Sequence, residues 1–190
     1  MRKVTLFNRI SLDGFYAGPN DSIDWFIADP DLDKYAMSGS VGRPDTGLFG
    51  RITYQMFEKV WPNVARDPNA GREAKQMADS LNRMTKAVFS NTLKQLTWEN
   101  SMLLKGDIAE QVRKIKQGSG AGIIIFGSGT IVRALASAGL IDDYLLIVTP
   151  VILGAGKLMF QDVQKSSLQL VEAKAFPSGN VLLTYRPAGS

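Results

Sequence analysis

Ile123-Ile124-Ile125-Phe126 runs straight into Gly127-Ser128-Gly129-Thr130 and then into a segment with helical spacing. A buried strand that ends in glycines and turns at once into a helix brings bare backbone N–H groups to one point. The partial positive charge of the helix start lies behind them. That chemistry suits an anion, and a pyrophosphate in particular, because glycine lets the backbone come close to the oxygens. Val132 stands at the third glycine position of G-x-G-x-x-G, so the same spacing also reads as an ordinary strand-to-helix turn. Leu48-Phe49-Gly50-Arg51-Ile52-Thr53-Tyr54 repeats the junction. Arg51 offers forked donors suited to a phosphate, and Thr53 can cap a helix or donate to a phosphate oxygen. A surface arginine and a plain cap give the same letters. Val88-Phe89-Ser90-Asn91-Thr92 is a third strand ending in small polar residues, where ligands of α/β sheets gather. Asp13, in Ser11-Leu12-Asp13-Gly14, and the pair Asp24-Trp25 are candidates to line a substrate pocket. They read equally as a turn-forming aspartate and a core anchor.

Two missing residue types narrow the chemistry. The 190 residues contain no cysteine, which excludes disulfides, a thiolate nucleophile and sulfur-ligated zinc or iron. They contain no histidine, the commonest general base and metal ligand. A Ser-His-Asp or Cys-His hydrolase is therefore excluded within this chain. Carboxylate, phosphate or lysine chemistry remains, or a bound cofactor that brings its own reactivity. The 22 basic and 18 acidic residues give a net charge of +4, spread without the like-charge runs of a nucleic-acid surface. A modest excess also suits a pocket for a small anion. The apolar runs are too short to span a bilayer. Met1 to Arg9 reads as a first strand, not a signal peptide, which places the protein in the cytoplasm.

The elements that must position these residues follow from the pattern. Strands are expected at Val4–Ile10, Thr46–Phe49, Lys86–Phe89, Ser101–Leu104, Gly122–Phe126 and Asp143–Thr149. Gly122–Phe126, β-branched and apolar throughout, reads as a central strand covered on both faces. Helices are expected at Asp31–Met37, Thr53–Val60 with Pro62 as its stop, Glu73–Met84, and about Thr130–Ala138. Another follows Asp107, where Glu110 completes a capping box. Loops are expected at 39–47 and 61–72. Ser167–Phe176 and Val181–Arg186 flank Pro177-Ser178-Gly179-Asn180 as a hairpin. Helices alternating with strands, then a hairpin, give an α/β fold of mixed sheet with helices on both faces. One domain over 1–187 with a short tail at 188–190 is expected.

Gly50-Arg51-Ile52-Thr53-Tyr54 resembles the G-R-x-T-[WY] motif of dihydrofolate reductases. Ser90 matches that family's serine near the adenosine phosphate, and Gly127-Ser128-Gly129-Thr130 resembles its glycine-rich pyrophosphate loop. Ser11-Leu12-Asp13-Gly14 with Ala17, and Thr149-Pro150-Val151-Ile152-Leu153-Gly154-Ala155-Gly156, look like the reductase domain of the bifunctional riboflavin-biosynthesis deaminase/reductase. The chain thus resembles the dihydrofolate-reductase-like superfamily in that branch. The resemblance implies a three-layer α/β/α fold with a mixed, mostly parallel central sheet and a C-terminal antiparallel hairpin. It implies NADPH as cofactor, with Arg51 on the 2′-phosphate and Thr53 capping a helix at the pyrophosphate. Gly50, Ser90, Asn91, Thr92 and Gly127, Ser128, Gly129 and Thr130 would complete the cofactor site; Asp13, Asp24, Trp25 and Tyr54 would line the substrate side.

It further implies hydride transfer to a small C=O or C=N compound, no metal, and a homodimer pairing through sheet edges near Leu168, Leu170, Val181 and Leu183. A non-catalytic NADPH-binding sensor is the rival reading. Two departures argue against folate and riboflavin-precursor substrates. Where dihydrofolate reductases place an acid beyond their tryptophan, this chain offers Asp29 or Asp31 around Pro30, and Phe126 replaces the riboflavin reductase's glutamate.

Overall fold

Apolar side chains alternate along the strands, and that alternation fixes the layers. In β1 (Lys3–Ser11), Val4 and Leu6 join one buried cluster while Phe7 packs on another. The computed structural model describes residues 1–35 and 43–189. In chain order the remaining elements are β2 (Phe15–Ala17), α1 (Pro30–Tyr35), β3 (Thr46–Gly50), α2 (Arg51–Arg66), α3 (Arg72–Arg83), β4 (Thr85–Phe89) and β5 (Ser101–Leu104). They continue with α4 (Ile108–Gln117), β6 (Gly122–Phe126), α5 (Gly129–Ser137), β7 (Asp143–Thr149), β8 (Lys157–Leu158), β9 (Leu168–Ala175) and β10 (Val181–Pro187).

The main sheet has eight strands in the order β5-β4-β3-β6-β1-β7-β10-β9. Its pairings are parallel from β5 to β7 and antiparallel at the closing hairpin. Helices α4 and α5 cover one face, where Val112, Ile131, Val132 and Leu135 meet Val4, Leu6, Leu48 and Ile125. The other face takes α2 and α3 through Tyr54 and Leu81 against Phe49 and Val88, and α1 through Leu32 against Leu145 and Ile147. Each such fully buried aliphatic side chain contributes about 1.5–3 kcal/mol. The fold is thus the expected α/β/α sandwich with a mostly parallel sheet. The cap of α4 is also as expected: Asp107 Oδ1 accepts from the Glu110 amide at 2.7 Å.

Two expectations are corrected. Pro62 does not stop α2, which continues to Arg66. The proline removes one intrahelical donor, but Phe57 and Trp61 carry the apolar face onward in edge-on contact at 6.1 Å, and packing outweighs the local penalty. The loop expected at 61–72 is therefore shortened to 67–71, between the end of α2 at Arg66 and the start of α3 at Arg72. β2 pairs antiparallel with β8 in a separate two-stranded ribbon, too short to leave a period in the sequence. The end of the helix expected at Asp31–Met37, part of the loop expected from residue 39, and Ser190 lie outside the described residues.

Candidate functional site

β3 and β6 are parallel neighbours, so their carboxyl ends and the helices that follow lie side by side. The junction is tied together by short polar contacts. The Gly50 amide donates to Ser128 Oγ at 2.8 Å, and Ser128 Oγ donates to Thr53 Oγ1 at 3.2 Å. The Asn8 amide grips Gly127 from both sides, accepting from its N–H at 2.6 Å and donating to its carbonyl at 2.9 Å. Gly127 and Ser128 are consecutive left-handed residues, with φ of 53° and 55°. A β-carbon at Gly127 would stand 2.8 Å from Thr53 Oγ1, so glycine is required there for space as well as conformation.

Neither helix is capped by a side chain at its start: Gly50 precedes α2 and Ser128 precedes α5, each without a capping bond. The Gly129 and Thr130 amides, too early in α5 for an intrahelical partner, meet no acceptor among the described residues. Two helix N-termini with free donors thus open on one polar cavity of about 270 Å³. Gly50, Arg51, Thr53, Ser128, Gly129 and Thr130 line it, and Tyr16, Asp21 and Lys157 close its far side. Arg51 makes one 3.3 Å bond to Gln55 and no ion pair among the described residues. Lys157 pairs with Asp21.

A second cavity of about 200 Å³ shares Tyr16, Asp21, Ile52 and Thr53 with the first. Its walls are mostly apolar: Phe7, Ile23, Phe26, Met56, Phe57 and Phe126. Arg9 from β1 also lines it, donating to the Ile27 carbonyl and to Asp33 Oδ1, both at 3.3 Å, with its guanidinium 5.5 Å from the Phe26 ring centre. Burial pulls the pKa of Arg9 down, and Asp33 and Asp29 push it back up. Tyr16 stands between the two cavities. Its hydroxyl makes no hydrogen bond among the described residues, and its ring lies so close to α5 that a β-carbon at Gly129 would be 2.5 Å from it.

The expected cofactor residues Gly50, Arg51, Thr53, Ser128, Gly129 and Thr130 are brought together at the polar cavity, and Gly127 borders the apolar one. Ser90, Asn91 and Thr92 follow the neighbouring strand β4 but line neither cavity. Ser90 Oγ accepts from the Thr92 and Leu93 amides at 3.2 and 3.0 Å, a local turn.

The expected substrate residues are not assembled around the apolar cavity. Tyr54 is buried in the α2–α3 layer, where its hydroxyl donates to Glu58 at 2.9 Å and accepts from the Trp98 amide. Asp13 accepts from the Ser11 hydroxyl and from the Leu153 and Gly154 amides, which holds its carboxyl at about 2 and fastens the loop before β8. Asp24 accepts from Ser22. Trp25 packs edge-on behind Phe26 at 4.6 Å. Asp29 is buried and caps α1, accepting from the Asp31 and Leu32 amides at 3.0 Å and from the Ser178 hydroxyl, chiefly the last of which lowers its pKa. Sequence reasoning missed Asn8, Arg9, Tyr16, Asp21 and Lys157. Arg9 alone left a local signal, a cation on the same strand face as the apolar Phe7.

The family described as the RibD C-terminal domain matches residues 2–182. The uncharacterized protein YyaP of Bacillus subtilis is 31% identical over 185 residues, 97% of this chain and 94% of that one. Among solved structures, the diaminohydroxyphosphoribosylaminopyrimidine deaminase/5-amino-6-(5-phosphoribosylamino)uracil reductase of Thermotoga maritima superposes with a TM-score of 0.67 at 14% identity, covering 98% of this chain and 57% of that one. A dihydrofolate reductase of Enterococcus faecalis complexed with NADP(H) superposes with a TM-score of 0.62 at 12% identity, covering 98% and 96%.

Proposed function

Because the chain belongs to the RibD C-terminal domain family, we propose that it is an NADPH-dependent reductase of small C=O or C=N compounds. The observation that carries this reading is the pair of uncapped helix starts, α2 and α5, opening on one polar cavity beside an apolar one. When bound, NADPH supplies a hydride from its nicotinamide ring to an electrophilic carbon.

The chain's own residues hold and orient. The free amides of Gly129 and Thr130, with the Arg51 side chain, match phosphate oxygens, and Thr53 and Ser128 fix the two helix starts relative to each other. Lys157 adds a cation across the cavity. Ser90, Asn91 and Thr92 extend the seat along the neighbouring strand end. The phenylalanine walls give the reacting carbon an apolar surround. Tyr16 Oη, free at the boundary of the two cavities, can donate to a ligand oxygen.

The same reading takes residues 1–187 as one domain, places it in the cytoplasm, and pairs two copies through the sheet edge. That edge is β9, where Leu168, Leu170 and Val171 are exposed. Natural proteins seldom leave an apolar edge bare. Val181 and Leu183 lie one strand in, on β10. Among the described residues no helix is long and apolar enough to cross a membrane, and no acidic cluster could hold a metal.

The test is NADPH oxidation across a panel of carbonyls and imines, with NADPH binding followed separately by its fluorescence. Oxidation with at least one compound is expected. Binding without oxidation by any would favour a sensor, and no binding at all would overturn the reading.

A further inference from the structure

Resting on the apolar cavity as the substrate compartment, we propose that the substrate is a small, flat, conjugated carboxylic acid, held with its carboxylate on Arg9. The argument is a matching of donors and acceptors. Most polar groups around this cavity are already committed within the protein. The Asn8 amide is spent on Gly127 in both directions, Thr53 is engaged by Ser128, and Asp21 is paired with Lys157.

Arg9 is not spent. A guanidinium has five N–H donors, and only two contacts are made, to the Ile27 carbonyl and to Asp33, both as long as 3.3 Å. Its side chain is 15% exposed while that of Asp33 is 60% exposed, so the buried cation's one direct ion pair is a long contact to a more solvated acid, and Asp29 acts on it only through its charge. Such a pair is weak, whereas a forked, desolvated carboxylate contact is strong. With the free Tyr16 hydroxyl, the cavity offers surplus donors. It therefore selects a ligand rich in acceptors.

Shape adds the rest. Phe26, Phe57 and Phe126 supply aromatic walls, and Met56 an adaptable thioether. A volume of about 200 Å³ lies below the usual range for drug-sized ligands, about 300–1,000 Å³, and suits one ring with a short chain. A phosphate dianion would call for more than the lone cation this compartment supplies among the described residues. The class is therefore a planar monoacid, aryl or enone in skeleton, that also carries the C=O or C=N group to be reduced.

Cinnamate and its uncharged amide are suitable probes, titrated calorimetrically without cofactor into wild type, Arg9→Lys and Arg9→Met. Wild type is expected to bind cinnamate at least tenfold more tightly than cinnamamide. Arg9→Met should bring the acid down to the amide's affinity, and Arg9→Lys, lacking the fork, should fall between. NADPH titration of the same samples separates the two readings. Protein that binds NADPH but binds acid and amide equally, or neither, overturns the acid inference alone. Protein that binds cinnamate through Arg9 but never binds NADPH overturns the reductase reading and keeps the anchor. Should Arg9→Met fail to fold, the acid-against-amide comparison in wild type decides.

Discussion

Gly129 is the position where a single added carbon says most about the cofactor seat. It is the first residue of α5 with helical backbone angles, so Gly129→Ala imposes no backbone strain and by helix propensity would add up to about 1 kcal/mol of stability. The steric picture is different. A β-carbon there would lie 2.5 Å from Tyr16 Cε1 and 2.7 Å from both Cζ and Oη, well inside van der Waals contact. Tyr16 must swing away, and if the carbon also screens the free Gly129 and Thr130 amides, the contacts they would make to a phosphate are lost. Each hydrogen bond to a charged group contributes about 1.5–3 kcal/mol. Losing two gives about 3–6 kcal/mol, a drop in NADPH affinity of about 10²–10⁴-fold. Gly129→Val, which fills more of the space, should sit at the upper end. NADPH fluorescence titration and circular dichroism on the same samples make the check. The double variant Tyr16→Ala/Gly129→Ala separates causes: recovery of affinity assigns the loss to the displaced tyrosine, and persistence assigns it to the covered amides. A folded Gly129→Val with wild-type affinity would refute the placement of this loop in the cofactor site.

Arg51→Ala should abolish a preference for NADPH over NADH, by about 1.5–3 kcal/mol or tenfold and more; a variant that keeps the preference removes Arg51 from the 2′-phosphate. Dihydrofolate should be a poor substrate, because Asp29 is spent capping α1 and anchoring Ser178; turnover of about 1–1,000 per second, lost in Asp29→Asn or Asp31→Asn, would restore a folate role. Light scattering should give a mass near twice 20.8 kDa, and Leu170→Lys on β9 should halve it; a constant monomer mass in wild type refutes the edge pairing. Lys86 is fully buried, donating to the Leu81 and Asn82 carbonyls, and burial holds its pKa at about 8 against an ordinary 10.5. The unfolded chain therefore binds this proton more tightly, and wild-type stability relative to Lys86→Met should be level below pH 8 and rise between about 8 and 10.5, by at most about 3 kcal/mol; urea unfolding across that range showing no difference in slope would refute it.

Periodicity determined the strands of the main sheet and most helices of this protein, because alternating and 3.6-residue apolar patterns are consequences of which face must be buried. Gly122–Phe126 and Asp143–Thr149 are strands with the bounds their patterns imply, and the Asp107 cap is a local hydrogen bond that four residues specify. The strand-to-helix glycines at 50 and 127–129 were legible for the same reason, since a turn that leaves helix amides bare is written in consecutive residues. Pro62 was misleading because its local penalty is real but smaller than the packing of Phe57 and Trp61. Other properties depended on the tertiary structure. Only the neighbouring placement of β3 and β6 makes two separate junctions into one cavity. Only the strand order carries Arg9 of β1 to the side of Phe126, and only the β2–β8 ribbon brings Lys157 to Asp21. The substrate side depends on the tertiary structure too: Tyr54 and Asp13 are residues whose type suits a pocket, but each satisfies its hydrogen bonds within the fold. A partner far along the chain leaves no trace in the spacing of the residues around it.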